Sequence, residues 1–210
     1  MLRNRIPDVV IHRLIGYLRV LQEMQAEPDD FISSAELGEK SLVNSAQVRK
    51  DLALFGEFGK QGVGYPVRSL LDELTKILRA DRDMAVSLFG VGELGTALVR
   101  YLSVRKRYDP SYRFTIRALF DEDKRKIGTK LEGLVINPLS ELPRLTQSGD
   151  IKLSIITVPA SAAQEVVNFA VACGIRGFLN FAPVKLKVPP DARVQNVDVT
   201  FLLQELAFYL

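Results

Sequence analysis

The sequence predicts a two-domain α/β protein in which a helical domain precedes a domain built on a parallel β-sheet. Up to residue 80, apolar residues recur at helical spacing, interrupted by one glycine-rich segment at 56–66. From residue 85, short apolar runs alternate with helical stretches, which is typical of parallel strands connected by helices. A last apolar segment ends the chain. We therefore place the domains at 1–80 and 81–197, followed by a C-terminal helix at 198–210.

Composition narrows the class of protein. The 210 residues are 47% apolar and 25% charged, as in globular chains with a sizeable core. The single cysteine, Cys173, excludes an internal disulfide, and no apolar run reaches the ~20 residues of a membrane span. We expect a cytoplasmic protein with no membrane partner and no metal site, because the only histidine, His12, has no partner at ligand spacing. Residues 1–80 carry 11 Lys and Arg against 11 Asp and Glu, so bulk charge does not argue for nucleic-acid binding.

Three helices are predicted before the glycine-rich segment. The first follows Pro7 and buries one face, formed by Val10, Leu14, Tyr17, Leu18 and Leu21. The second begins with a capping box at Ser33 and ends near residue 40. The third begins at Asn44 and buries Val48, Leu52 and Phe55. Segment 56–66 has four glycines in eleven residues, so we predict a tight hairpin there, followed by a helix at 67–78.

Three helices and a glycine hairpin describe a winged helix-turn-helix domain, whose third helix enters the major groove of double-stranded operator DNA. The outward surface of that helix is small, amide-bearing or cationic, with Ala46, Gln47, Arg49, Lys50 and Ala53. Small residues permit close approach, Gln can read adenine, and Arg or Lys can read guanine or hold phosphate. Ser45 can take a phosphate at the start of the helix, and Lys60 and Gly62 of the hairpin can approach the minor groove. The competing interpretation is a helical cap on an enzyme, with solvated charges.

A glycine turn follows the first strand of the second domain. Strands are predicted at 85–89, 114–120, 151–158 and 175–181, with a helix at 160–172. The first strand ends in a GxGxxG pattern and an apolar helix follows it; the six candidate cofactor residues are Gly90, Val91, Gly92, Glu93, Leu94 and Gly95. In a Rossmann-type site the first glycine makes the tight turn, the second admits the pyrophosphate and the third packs the helix on the sheet.

The ends of the other strands supply further candidates for the cofactor site. Strand 114–120 ends at Asp121, 26 residues after Gly95. A carboxylate there accepts hydrogen bonds from a ribose 2′-OH and repels a 2′-phosphate, which favours NAD(H) over NADP(H). Thr157, Pro159 and Asn180 follow two more strands and are expected at the same crevice.

The groups that hydride transfer needs are missing from the sequence. No histidine lies in the C-terminal half, and only 27 residues follow Pro183, which leaves no substrate domain. The site is therefore expected to bind NADH and NAD⁺ without turning them over. Two alternatives stay open: an NAD-dependent oxidoreductase with a helical cap, and a coenzyme A-binding subunit.

The last segment, 199–210, is apolar except for Thr200, Gln204 and Glu205. A helix that is apolar almost all round must be buried, and Asp198 stands where it can cap this one. We expect the helix to pack into a second copy of the chain and form a homodimer. The alternative is a helix folded on its own sheet.

Several segments together resemble one known family, the redox-sensing transcriptional repressor Rex, over nearly the whole chain. They are residues 45–52 (SAQVRKDL), 62–65 (GVGY), 90–95 (GVGELG), 153–159, 177–183 (GFLNFAP) and 197–198. The resemblance implies a homodimer with swapped C-terminal helices that represses when NADH is scarce and releases DNA when NADH binds. It also implies that Tyr101 lies near the nicotinamide, and that Arg19 and Asp198 form a contact that changes between states. Val199 departs from some relatives, which carry a bulkier apolar residue that reaches into the nicotinamide pocket of the other subunit.

Overall fold

A computed structural model describes residues 6–24, 30–59, 62–109 and 111–210. The chain divides into two units, Met1–Arg82 and Asp83–Leu210. Within the described residues, no helix is long and apolar enough to cross a membrane. The predicted DNA contact Lys60 lies outside the described residues.

In the described part of the first unit, four helices surround one apolar core. Its elements are α1 (Asp8–Glu23), β1 (Phe31–Ile32), α2 (Ser34–Ser41), α3 (Ser45–Ala53), β2 (Tyr65–Pro66) and α4 (Val67–Leu78). The predicted buried face of α1 is confirmed, from Val10 to Leu21. It packs with Leu37, Val48 and Leu52 from the next two helices, and Phe55 is only partly buried against this core.

The turn between α2 and α3 is fixed by two caps and one close approach. Ser33 Oγ accepts the Glu36 N–H at 3.0 Å, and Asn44 Oδ1 accepts the Gln47 N–H at 2.8 Å, so each helix begins where its cap predicts. At Gly38 of α2, an added Cβ would overlap the carbonyl oxygen of Val43. The two helices can therefore adopt this helix-turn-helix geometry only with glycine at position 38.

The glycine-rich segment contains strand β2, which pairs antiparallel with β1, with Ile32 opposite Tyr65. At Gly64 the backbone approaches β1 so closely that a Cβ would lie 2.6 Å from the carbonyl oxygen of Ile32, so glycine allows β2 to dock there. Gly59 also lies beside Gly64, since a Cβ on Gly59 would lie 2.5 Å from the Gly64 carbonyl oxygen. Residues 60 and 61 lie outside the described residues, so the predicted hairpin stays a prediction.

The second unit is a seven-stranded sheet in the order β5-β6-β4-β3-β7-β8-β9. The strands are β3 (Met84–Phe89), β4 (Phe114–Phe120), β5 (Lys130–Leu131), β6 (Leu134–Asn137), β7 (Ile151–Ile156), β8 (Gly177–Asn180) and β9 (Arg193–Asn196). The helices are α5 (Glu93–Tyr108), α6 (Leu142–Leu145), α7 (Ala160–Ala172) and α8 (Val199–Phe208). All neighbouring strands are parallel except β5 and β6. This is the Rossmann order, in which the order of the strands along the sheet reverses between β3 and β7.

Helix α8 is apolar, and none of the residues that the structure describes buries it. Asp198 caps it by accepting the Phe201 N–H at 3.1 Å, as predicted. All residues from Val199 to Leu210 are exposed, among them Leu203 at 61% and Phe201 at 66%. The alternative that this helix folds on its own sheet is therefore wrong.

Candidate functional sites

The outward face of α3 is open. Ala46, Arg49, Lys50 and Ala53 are exposed, whereas Val48 and Leu52 are fully buried in the core. Ser45 is half-buried in the first turn. Among the described residues, Lys50 has no hydrogen-bond or ion-pair partner, so its ammonium group is free to meet a ligand. The surface is small and cationic, which suits entry into a major groove.

A buried carboxylate, which sequence reasoning missed, orients this helix. Asp51 is 1% exposed and accepts two hydrogen bonds from Arg13, at 2.6 and 2.7 Å, and one from the Tyr17 hydroxyl at 2.8 Å. The Gln47 amide also donates to it, at 2.7 Å. Gln47 was predicted to read adenine, but in this structure its amide is bonded to Asp51 instead. The signal that could have found the network is a charged residue at a core position of an amphipathic helix.

The network shifts the ionisation of its members. Burial by itself raises the pKa of Asp51, but the hydrogen bonds from Arg13, Gln47 and Tyr17 outweigh it, so the pKa lies below its ordinary value. Burial, with the bond to Asp51 added, strongly raises the pKa of Tyr17. The hydrogen bond to Asp51 raises the pKa of Arg13. At neutral pH the site therefore holds one anion, one cation and a neutral phenol.

In the glycine-rich segment, which corresponds to the predicted wing, Gly62 and Val63 are exposed. Gly62 has a φ of 83° and open space where a Cβ would stand, and Val63 is 53% exposed. A backbone with little side-chain bulk can approach a narrow groove. The predicted minor-groove contact of Gly62 stays a prediction.

A pocket lies at the carboxyl ends of β3, β4 and β7, where the strand order reverses. Its volume is about 540 Å³, within the usual range for small-molecule sites. Phe89 and Phe120 stack at its floor with ring centroids 4.9 Å apart. The predicted residues Gly90, Gly92, Asp121, Thr157 and Pro159 line it. In open parallel sheets, ligands bind in the crevice at this position.

Glycine stands at the three positions of the turn for different geometric reasons. Gly90 has a φ of 94°, and a Cβ there would lie 2.8 Å from the backbone of Thr157. A Cβ on Gly95 would overlap the carbonyl oxygen of Gly90, so α5 can pack this closely only with glycine. Gly92 has no atom within 4 Å of its Cβ position. That open space at the start of a 16-residue helix is a cradle that a phosphate fits and a side chain would fill.

Two of the predicted ligand contacts also hold the loop itself. Thr157 Oγ1 lies 2.9 Å from the Phe89 carbonyl and 2.8 Å from the Gly90 carbonyl, and its hydroxyl donates to them. Asp121 Oδ2 accepts the Val91 N–H at 2.7 Å and lies 3.2 Å from Lys126 Nζ. Val91 therefore positions the carboxylate. Carboxylate oxygens have several lone pairs, so Asp121 keeps capacity for a ribose hydroxyl.

The pocket contains lining residues that the sequence did not reveal. Leu139, Ala162 and Val166 form an apolar wall, suited to a flat aromatic ring. Glu122 and Asp123 line the pocket together with Asp121, which makes this part of the rim acidic. Hydrogen bonds from Arg125 hold the pKa of Asp123 at about 2, so this carboxylate is ionised at neutral pH.

Some predicted residues lie elsewhere. Asn180 is buried, but it does not line the pocket; its side chain bonds Ala182, Val184 and Asn196 and closes the end of β8. A buried amide first satisfies its neighbours, and the predicted ligand contact of Asn180 stays a prediction. Glu93 and Leu94 are exposed in the first turn of α5 and do not line the pocket.

Three residues from the family resemblance are placed within their own units. Tyr101 is 57% exposed on α5, outside the pocket lining, and Arg105 Nη1 donates to its hydroxyl at 3.4 Å. Arg19 is exposed on α1, and Asp198 caps α8. Their predicted contact with each other stays a prediction. Among the described residues, no group of three His, Cys, Asp or Glu could hold a metal ion.

Known proteins match both units. Residues 5–53 match the family model "Putative DNA-binding protein N-terminus", and residues 81–184 match "CoA binding domain". The redox-sensing transcriptional repressor Rex of Syntrophobacter fumaroxidans is 45% identical over 207 residues, 98% of this chain and 96% of the relative. The Rex repressor of Brevibacillus brevis is 43% identical, over 99% of this chain and 98% of the relative.

Solved structures agree with the sequence relatives. The crystal structure of RSP, a Rex-family repressor, matches with a TM-score of 0.82 at 33% identity, over 98% of this chain and 94% of that one. RSP in complex with β-NAD⁺ and operator DNA matches with a TM-score of 0.86 at 34% identity, over 97% and 92%. These similarities run through both units, whereas each family model covers one.

Proposed function

The chain belongs to the Rex family of redox-sensing transcriptional repressors, and from this premise we propose that it binds operator DNA as a homodimer and leaves it when NADH binds. The observation that carries the proposal is that one chain holds an open cationic recognition helix and, in its other unit, a pocket with a phosphate cradle at Gly92. Relatives at more than 40% identity share both parts over nearly their full length. RSP, at 34% identity, was crystallised with β-NAD⁺ and operator DNA together, and also with β-NADH.

The residues of the pocket fit NAD(H). The open space at Gly92 and the N-terminus of α5 would hold the pyrophosphate, the wall of Leu139, Ala162 and Val166 would hold the adenine, and Asp121 would accept from the ribose. The nicotinamide supplies the signal when bound, because its ring is neutral when reduced and positively charged when oxidised. The chain's own part is to bind and orient the two forms differently.

The acidic rim argues against coenzyme A, although one family model carries that name. Coenzyme A bears a phosphate on the adenosine ribose, and at this rim it would meet Asp121, Glu122 and Asp123. Like charges in close contact cost binding free energy. Lys126 pairs with Asp121 and Arg125 pairs with Asp123, so the charge of Glu122 is the one without an ion pair among the described residues. The same repulsion disfavours the 2′-phosphate of NADPH.

The C-terminal helix supplies the dimer. Its exposed side chains include Phe201, Leu202, Leu203, Leu206 and Phe208. Burial of a large apolar side chain is worth roughly 1.5–3 kcal/mol, so a second copy that covers α8 would gain a large stabilisation. A protein that acts on operator DNA in this way is a regulator rather than an enzyme, and it works in the cytoplasm with its DNA.

The switch follows from the geometry of a dimer on DNA. Two recognition helices must lie about 34 Å apart to enter successive major grooves. NADH must change that separation, and it can do so only through a higher affinity for the dimer that is not bound to DNA. The proposed contact of Arg19 with Asp198, and Tyr101 beside the nicotinamide, would be part of this two-state element.

Fluorescence anisotropy tests the proposal with labelled duplex DNA from the region upstream of the protein's own gene, at fixed salt because phosphate contacts make affinity salt-dependent. NADH, NAD⁺ and coenzyme A are added in separate titrations. We expect release by NADH at concentrations where NAD⁺ and coenzyme A do little. Tight binding that is indifferent to NADH would reject the redox signal.

A further inference from the structure

A second cavity lies at the amino ends of β3, β4 and β7, at the opposite edge of the sheet from the proposed NADH pocket. Its volume is about 690 Å³, within the usual range for small-molecule sites. Met84, Thr115 and Ile151, near the starts of the three strands, line it, and all its lining residues belong to the second unit. None of these residues takes part in the proposed binding of NADH or of DNA.

A β-bulge places an arginine in the wall of this cavity. The register of β4 against β3 passes from Ile116 directly to Ala118, so Arg117 is an extra residue in β4. Bulges re-aim the side chain of a strand residue. Arg117 is exposed and lines the cavity. Its side chain has no hydrogen bond or ion pair with any residue that the structure describes, so the guanidinium is free to meet a ligand.

Strand β7 has a similar bulge on the other side of β3. Its register passes from Ile151 directly to Leu153, so Lys152 is the extra residue. Lys152 is exposed, and its Nζ lies 3.8 Å from the position of a Cβ on Gly149, in the loop that lines the cavity. Within the described ranges the ammonium group of Lys152 has no hydrogen bond or ion pair. Two bulges thus bring two unpaired cations to the same end of the sheet.

The other polar side chains of the cavity narrow the kind of ligand. Lys106 and Asp83 also line it, but they pair with each other at 3.4 Å. Asp150 lines it as well, and its carboxylate has no partner among the described residues. Thr115 and Ser148 add two hydroxyl groups. A free guanidinium binds one oxyanion, whereas a free carboxylate accepts hydrogen bonds from hydroxyl groups and repels a second anion.

We propose that this cavity binds a small polyhydroxylated molecule with one anionic group, a sugar phosphate or a sugar acid. Arg117 holds the oxyanion, because a planar guanidinium donates two parallel hydrogen bonds to carboxylate or phosphate oxygens. Asp150 and the two lining hydroxyl groups meet the hydroxyl groups of the ligand, and Lys152 adds a second positive charge nearby. The site needs neither NADH nor DNA, since its residues lie at the other end of the strands from Gly92.

Amide NMR of the isotope-labelled full-length protein tests the site with four probes: glucose 6-phosphate, gluconate, glucose and inorganic phosphate. Titration to about 10 mM covers the millimolar affinities of small ligands. We expect saturable shifts with glucose 6-phosphate, gluconate or both, which tells whether a phosphate or a carboxylate occupies the site. Glucose and inorganic phosphate each carry half of the chemistry and should bind at least ~tenfold more weakly. The largest shifts should lie at Thr115, Arg117 and Ser148.

Three variants locate the bound probe. Arg117→Gln should weaken its binding at least ~tenfold, because a charge-assisted hydrogen bond is lost. Arg193→Gln removes an exposed arginine from β9, outside the cavity, and is the matched control that should change nothing. Gly92→Val fills the phosphate cradle of the other pocket, so the probe should still bind.

Three results would overturn the site. One is the absence of saturable shifts with both glucose 6-phosphate and gluconate. Another is unchanged affinity for the probe in a folded Arg117→Gln protein. The third is a set of wild-type shifts confined to Gly90 and Gly92, with binding lost in Gly92→Val, because the probe would then occupy the other pocket.

Discussion

Replacing Asp51 by asparagine should destabilise the first unit more than any exposed substitution. The carboxylate is 1% exposed and receives four hydrogen bonds, of 2.6–2.8 Å, from Arg13, Tyr17 and Gln47. An asparagine has the same shape, but it offers one acceptor oxygen and turns its own N–H₂ towards donors. It also leaves Arg13 without its counter-charge.

The magnitude follows from the burial of the pair. Loss of one partner of a buried ion pair costs about 3–5 kcal/mol, and the Arg13 side chain is 21% exposed, so water screens part of this cost. We expect a loss of about 3 kcal/mol in the free energy of unfolding. For a unit of this size that lowers the melting temperature by roughly 12–24 °C.

Calorimetric unfolding of the full-length protein tests this loss of stability. Operator affinity is measured on the same proteins. The pKa of Asp51 lies below that of an unfolded aspartate, about 3.9. The wild type therefore has its full advantage in the free energy of unfolding above pH ~4, and it loses this advantage as the pH falls through the lowered pKa of Asp51. The double variant Arg13→Met with Asp51→Leu is the control, since it removes both charges and should recover most of the stability. An Asp51→Asn protein within about 0.5 kcal/mol of wild type at pH 7 would refute the reasoning.

Three further variants follow from close contacts and exposure. Gly38→Ala should destabilise the first unit by about 1–3 kcal/mol, since its Cβ overlaps the carbonyl of Val43; a wild-type melting curve would contradict this. Gly92→Val should abolish NADH binding, measured by fluorescence titration, and keep wild-type stability, because the space at its Cβ position is open. Gly95→Ala should lose both NADH binding and stability, because a Cβ there would overlap the carbonyl oxygen of Gly90. Leu203→Glu should convert the dimer to monomer in sedimentation velocity, and an unchanged dimer would remove α8 from the interface.

The parts of the fold with strong periodicity were predictable from the sequence. The buried face of α1, the bounds of α4 and α7, and strand β4 agree with their apolar spacing. The two-residue strand β5 and the polar strand β9 were missed, because alternation cannot be seen over two to four residues. The pairing of β2 with β1 was missed, because local glycine content does not say which distant strand a segment pairs with.

The candidate sites, like the fold, were predictable from the sequence only in part. The GxGxxG turn and Asp121 were found because their chemistry is fixed by spacing along the chain. The bonds from Arg13 and Tyr17 to Asp51 and from Arg49 to Ser34 join residues 15–38 positions apart, and no local pattern says which residues pair. Asn180 was assigned to the crevice by its place after a strand, but its amide is bonded to its neighbours. Position along a strand thus predicts proximity to a site better than it predicts which atoms remain free.

The central claim is that the NADH pocket and the DNA surface are coupled, and isothermal titration of the full-length dimer with NADH tests it most directly, in the absence and presence of saturating operator DNA. Coupling in binding is reciprocal, so a ligand that releases the operator must itself bind more weakly to the DNA-bound dimer. We predict at least a tenfold weaker affinity for NADH with operator present, equivalent to about 1.4 kcal/mol, and little change for NAD⁺. Equal NADH affinities in the two titrations would contradict the account.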